Sequence, residues 1–172
     1  YASSSSAYGD HEALPKVEDV IGKPKNPYSI TKYVNELYAN TFSEHYSFKS
    51  IGLRYFNVFG PRQRENGDYA AVIPKWIKNI LNNQDIEIYG DGETSRDFCY
   101  VDNAVQANII AALSENEIAK GQVYNISVGN QTSLNKLLSM IHKNIENSIG
   151  KNIKIKPIYK DFRPGDIRHS RA

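Results

Sequence analysis

The chain has 172 residues, 40% hydrophobic and 23% charged, the balance of a soluble globular protein long enough to bury a real core as one compact domain. A formal net charge of +2 gives no field for nucleic acid or an anionic membrane surface, and no apolar run is long enough to span a bilayer. Cys99 is the one cysteine, so an intrachain disulfide is excluded and the expected compartment is a reducing, cytoplasmic one.

Tyr1 onward reads as the exit of a strand, and the chain stops at Ala172 after a polar, basic stretch, so we expect a fragment. Residues 10–27, with Pro15, Gly22, Pro24 and Pro27, form a loop. From Ser29 to Tyr46 the residues Ile30, Tyr33, Val34, Leu37, Tyr38 and Phe42 follow a helical period. Ser50 to Phe56 is a short apolar run that predicts a buried strand, followed by a loop from Val58 to Asp68 around Gly60-Pro61. The next helix runs from Ala70 to Leu81, with Val72, Ile73, Trp76, Ile77, Ile80 and Leu81 on one side. Glu87 to Tyr89 is a strand closed by Gly90-Asp91-Gly92. Asp102 is the expected N-cap of a helix reaching Leu113. Val123 to Ser127 reads as a strand, Ser133 opens a helix with the stripe Leu134, Leu137, Leu138, Ile141, Ile145 and Ile149, and Ile153 to Tyr159 alternates like a strand. Helices alternating with short buried strands define an α/β class.

Tyr28 and Lys32 are four residues apart at the start of a helix, which puts a phenol and an ammonium on one face. An ammonium there stabilises a phenolate, and a serine from the run Ser3 to Ser6 can bridge the phenol to a substrate hydroxyl. Each signal alone has a plain structural explanation, a helix-face tyrosine beside a solvated lysine and a turn rich in small residues. Together they suit moving a proton on and off an alcohol, at the carboxyl end of a strand where open α/β sheets bind ligands. Asn57 ends the strand Arg54-Tyr55-Phe56, as a turn residue or as an amide aimed at a ligand. Arg96, Arg163 and Arg168 sit in polar loops, solvated or gripping phosphates. His11, His45, His142 and His169 lack ligand spacing, so no metal is expected, and Cys99 reads as a buried structural thiol. The chain holds no Gly-x-Ser-x-Gly elbow, Walker A loop or glycine-rich dinucleotide fingerprint.

Ser3-Ser4-Ser5-Ser6-Ala7-Tyr8-Gly9, Pro27-Tyr28-Ser29-Ile30-Thr31-Lys32 and Arg54-Tyr55-Phe56-Asn57-Val58-Phe59-Gly60-Pro61 resemble the extended short-chain dehydrogenase/reductase family, and within it the nucleotide-sugar epimerases. Gly90-Asp91-Gly92-Glu93-Thr94-Ser95-Arg96-Asp97-Phe98 and Arg163-Pro164-Gly165-Asp166-Ile167-Arg168-His169-Ser170 carry the match almost to the end. The resemblance implies the C-terminal part of a Rossmann-type NAD-binding domain over 1–60, and mainly a nucleotide-sugar lobe over 61–172, with about 94–114 returning to the first. It implies Ser4, Tyr28 and Lys32 as catalytic residues and Tyr28, Lys32 and Phe56 beside the cofactor NAD. It also implies Ser4, Ser5, Asn57, Ala71, Val72, Tyr89, Arg96, Arg163, Asp166 and Ser170 as contacts of a UDP-sugar. Ser5 is an alternative to Ser4, because a serine run invites a register error of one.

Dehydratases of the family carry an Asp-Glu pair before the Tyr-Gly that here is Tyr8-Gly9, and this chain has Ser5-Ser6-Ala7 instead. Epimerases restricted to glucose and galactose carry a tyrosine where this chain has Ser170, which leaves room for an acetamido group. The expectation is C4 epimerisation of a UDP-N-acetylhexosamine, with a UDP-uronic acid epimerase, a decarboxylase or dehydratase of the same scaffold, or a non-catalytic sugar-nucleotide module as alternatives. The family's Gly-x-x-Gly-x-x-Gly turn is not in this chain, so the fragment alone is expected to be inactive. Relatives commonly pair as homodimers through helices that include the Tyr28 helix, and the resemblance implies neither nucleic acid nor membrane partners.

Overall fold

The computed structural model describes residues 1–66, 71–163 and 165–172. The end of the expected loop at Asp68, the expected helix start at Ala70 and Pro164 of the arginine motif lie outside them. In chain order the main elements are β1 (Ala2–Ser4), a 3-10 turn (Ser5–Tyr8), α1 (Pro27–Tyr46), β2 (Gly52–Tyr55), α2 (Val72–Leu81), β3 (Ile86–Tyr89), α3 (Val101–Leu113), β4 (Val123–Ile126), α4 (Leu134–Ile149) and β5 (Pro157–Lys160). The described residues form two compact units, the first from Tyr1–Val58, Arg96–Gln131 and Ser170–Ala172, the second from Phe59–Ser95 and Thr132–His169.

In the first unit β1, β2 and β4 form a parallel sheet in that order, with Ser3 opposite Arg54 and Ser4 opposite Tyr55. Helix α1 packs on β1 and on the turn after it. Its start is built by a capping box. The Asn26 side chain accepts from Ser29 N at 2.8 Å, and Ser29 Oγ accepts from Asn26 N at 3.1 Å. Pro27 adds a preset φ at the first helical position. The apolar period predicts this helix, yet its buried residues are Ser29 and Glu36, while Ile30, Leu37, Tyr38 and Phe42 are exposed. The core of the unit is Ala7, Tyr8, Leu53, Phe56, Cys99 and Ala104. Tyr8 and Phe56 meet with ring centroids 6.2 Å apart.

In the second unit α2 and α4 pack together, and β3 pairs in parallel with β5. Trp76 and Ile80 of α2, Ile86 and Ile88 of β3, and Leu137, Leu138, Ile141 and Ile145 of α4 are buried. Each such aliphatic side chain contributes about 2 kcal/mol of transfer free energy. Four of the six expected stripe residues of α4 are buried, while Leu134 is half-buried and Ile149 is exposed at the end, and Ser133 caps the helix by accepting from Lys136 N at 3.3 Å. On α2 the expected apolar side divides, with Ile77 and Leu81 exposed. Asp102 is not an N-cap. Tyr100 holds that position without a side-chain bond, and Asp102 lies in the first turn, where its charge still suits the helix dipole.

Candidate active site

The carboxyl edge of the parallel sheet carries the serine run. Ser4 ends β1 and caps the 3-10 turn, its Oγ accepting from Ser6 N at 3.2 Å and from Ser6 Oγ at 3.0 Å. In both bonds the oxygen accepts, so the Ser4 hydrogen is available to a substrate oxygen. Ser5 opens the turn. Ser3 is different in kind: it is buried and donates to Glu36 Oε1.

Tyr28 is the second residue of α1 and 55% exposed, so its phenol is accessible. Lys32 lies one turn on, its Nζ 5.8 Å from the Tyr28 ring centroid and donating to Ala2 C=O at 3.3 Å. That carbonyl belongs to β1, two residues before Ser4, so the lysine reaches back to the strand that carries the serine. Asn57, exposed, follows β2, and its C=O accepts from Cys99 N at 3.2 Å. Phe56 is fully buried, and its N–H donates to Ile126 C=O at 3.0 Å. Arg96 is half-buried next to Asp97, whose buried carboxylate accepts from Val128 N at 3.1 Å and Gly129 N at 3.0 Å. Ser170 is buried in this unit.

The second unit holds the other candidates. Ala71 is the N-cap residue of α2 and Val72 its first residue. The Arg163 guanidinium stacks 3.7 Å from the Tyr89 ring centroid, and Asp166 N donates to Arg163 C=O at 3.2 Å. Arg168 donates to Asp91 Oδ2 at 2.6 Å and lies 5.3 Å from the Phe162 ring. The Arg168 bond, with a second from Glu93 N, holds the Asp91 carboxyl below the usual carboxylate range. The structure ties Arg168 to a carboxylate, where the loop sequence left it solvated or gripping a phosphate.

Sequence reasoning missed the polar network beneath these residues. Glu36 accepts from Arg54 Nε at 2.8 Å and Nη2 at 2.7 Å, and Arg54 Nη1 donates to Glu18 C=O at 2.8 Å. The guanidinium stands 4.8 Å from the Tyr8 ring centroid, and Tyr8 Oη donates to Asn125 at 2.7 Å. Burial works against the Arg54 charge, but the Glu36 carboxylate and Tyr8 drive its pKa upward. Burial pushes the Tyr8 phenol up as well, against the opposing pull of Arg54. The missed signal was available: Glu36 is eight residues after Tyr28, hence on the same helical face, and Arg54 is a charge inside an apolar strand.

A sheet with small hydroxyl residues at its carboxyl edge, beside a helix that presents tyrosine and lysine one turn apart, is an arrangement suited to exchanging a proton with an alcohol. Residues 1–127 match the family described as NAD dependent epimerase/dehydratase, and the chain belongs to that family. Its α/β fold with parallel sheets is of the Rossmann type shared by its structural neighbours. It is 44% identical to the UDP-N-acetylglucosamine 4-epimerase of Methanobrevibacter ruminantium M1, solved with UDP-N-acetylmuramic acid, with a TM-score of 0.87 over 100% of this chain and 52% of that one. It is 30% identical, with a TM-score of 0.85, to the UDP-glucuronic acid 4-epimerase of Bacillus cereus, solved with UDP-glucuronic acid and NAD, over 99% of this chain and 51% of that one. Protein CapI of Staphylococcus aureus is 36% identical over 100% of this chain and 53% of its own length. The chain spans about half the length of the curated relatives it matches.

Proposed function

We propose that the complete gene product carrying this chain interconverts UDP-N-acetylglucosamine and UDP-N-acetylgalactosamine by transient oxidation at C4. The observation that carries the reading is the Ser4, Tyr28 and Lys32 grouping, with an accessible phenol one turn from an ammonium that reaches back to β1. An ammonium held by one backbone carbonyl has further donors for the vicinal hydroxyls of a ribose, so these residues fit the nicotinamide end of NAD. NAD, when bound, supplies the two-electron acceptor and donor that the chemistry requires.

Tyr28, as phenolate, removes the 4-hydroxyl proton as C4 is oxidised. Ser4 donates a hydrogen bond to the sugar oxygen and holds it toward the phenol. Lys32 stabilises the phenolate by its charge. After the 4-keto sugar turns over, Tyr28 returns the proton to the oxygen while reduction occurs on the other face, so C4 is inverted and no atom is gained or lost. Asn57 would orient the substrate at the sheet edge, with Ser5 and Arg96 of the same unit as further contacts of the UDP-sugar, and Ala71, Val72, Tyr89, Arg163 and Asp166 are the contacts that the family resemblance implies for the second unit. Ser170 as a small residue favours a 2-acetamido sugar. The likeness to a UDP-glucuronic acid 4-epimerase supports a second reading, a C6 carboxylate in place of the acetamido group.

The deciding experiment gives the complete gene product UDP-N-acetylglucosamine and UDP-glucuronic acid separately, with NAD, and follows products by mass spectrometry and NMR. Epimers of unchanged mass are expected, with the N-acetylated substrate preferred. Loss of carbon dioxide or water would replace the epimerase reading with a decarboxylase or dehydratase, and no turnover of either would leave a binding module.

A further inference from the structure

We infer that Glu36, Arg54 and Ser3 form a positioning clamp that sets how α1 presents Tyr28 and Lys32 to Ser4, an inference that rests on the catalytic reading of those three residues. Tyr28, Lys32 and Glu36 follow one another at four-residue intervals, so a single helical face carries them from solvent into the interior. The exposed phenol is at one end, and at the other Glu36 is 7% exposed. Across from it, Ser3 and Arg54 are each 3% exposed and lie opposite one another in the β1–β2 register. Both side chains therefore leave the sheet on the α1 side, and both bind the Glu36 carboxylate.

Full apolar burial does little to fix the rotation of this helix. Its buried residues are Ser29 and Glu36, and no large apolar side chain of α1 is buried. Hydrophobic contact is non-directional, so a helix with so little apolar burial can turn or slide at small cost. A slip of one residue moves a side chain by about 1.5 Å along the axis and about 100° around it. A bidentate arginine–carboxylate pair is planar and directional, and a third bond from Ser3 locks the carboxylate to the residue next to Ser4. Glu36 thus ties the Tyr28 face to the strand that ends at the Ser4 hydroxyl.

Buried ion pairs add little net stability over apolar residues of similar volume, which lets geometry be separated from folding. The test uses the complete gene product with Ser3→Ala, Glu36→Leu and Arg54→Met combined, and Ser3→Ala alone as a mild variant that strands no charge. We expect the triple variant to melt within a few degrees of the parent. Its kcat should fall by about tenfold or more with KM for the UDP-sugar within about twofold, because misalignment near 1 Å costs chemistry rather than binding. Ser3→Ala should lose about threefold in kcat with the same unchanged KM. A folded triple variant with parental kcat overturns the clamp. If the triple variant does not fold, Ser3→Ala decides, and parental kcat there overturns it.

Crystal structures of the parent and of each variant that folds form a second arm, which needs no turnover. The Ser4 Oγ to Tyr28 Oη separation should change by about 1 Å. An unmoved Tyr28 overturns the clamp even if the protein proves to be an active epimerase. A parent without epimerase activity sinks the function but leaves this arm to decide the clamp.

Discussion

Within the serine run, adjacent side chains do different work. Ser3 is spent on Glu36, Ser6 donates to Ser4, and Ser4 keeps its hydrogen at the sheet edge. The composition of the run was legible as a small-residue strand exit, but this division depends on which side of β1 each residue faces. Arg54 was visible as a charge in an apolar run, but its partner, a carboxylate eighteen residues upstream on a helix, shows only in the structure. Tyr28, by contrast, stands where the motif puts it. Replacing it by phenylalanine in the complete gene product removes the proposed base and leaves the ring, so kcat should fall by about 10²–10⁴ with a preserved melting temperature. Turnover near that of the parent would remove Tyr28 from proton transfer. Cys99 was read as a structural thiol, and it is fully buried. Burial, then the Asp97 charge, pushes its thiol pKa up. That preference for the protonated form is complete below the ordinary thiol pKa and is lost as pH rises toward the elevated value. Iodoacetamide at pH 8 should therefore label native protein about a thousandfold more slowly than unfolded protein, because alkylation waits for opening. Full labelling of the native chain within minutes would show that the thiol is reachable.

The elements followed local chemistry more closely than their burial did. Helix α4 was legible from its Ser133 start through Ile145, while Ile149 of the expected stripe is exposed beside the Gly150 end. Helix α1 was legible as a helix and misleading as a face, because the residue that enters the interior is Glu36 while Leu37, Tyr38 and Phe42 face outward. Between β1 and α1 the turn is set by Gly9. Its φ of 57° and ψ of −123° belong to glycine alone, and a Cβ there would run into the Lys23 carbonyl. Gly9 N also donates to Ser6 C=O at 3.1 Å, closing the turn that follows Ser4. Gly9→Ala should cost at least about 2 kcal/mol in urea unfolding. Gly150, with a φ of 66° at the end of α4 and open space where a Cβ would go, supplies the control. Gly150→Ala should cost only about 1 kcal/mol, the left-handed penalty without a clash. Equal losses at the two positions would show that the Lys23 contact gives way freely.

At the scale of the molecule, the α/β class was legible from alternation, and the family follows from motifs that recur in order from Ser3 to Ser170. What composition could not convey is how the first unit distributes its apolar surface. Helix α1 leaves Ile30, Leu37, Tyr38 and Phe42 exposed, and α3 leaves Val105, Ile109, Ile110 and Leu113 exposed. These eight large apolar side chains are exposed in a chain that spans about half the length of its curated relatives. Phe42 and Tyr46 already stack on each other at 5.2 Å, which pre-orders part of the α1 face for a partner surface. The family resemblance implies a homodimer through α1, and we propose that the complete gene product self-associates there. Sedimentation velocity of the complete gene product should show its mass-average rising between about 1 and 100 μM, a range in which interfaces of about 800 Å² per partner operate. Leu37→Glu with Phe42→Glu places two charges on that face without touching Ser29, Glu36 or the Tyr28–Lys32 turn, so the helix should persist by circular dichroism. The double variant should then stay monomeric across the same range. Association that survives both charges would move the contact away from α1, with the Val105–Leu113 face of α3 the next surface to charge.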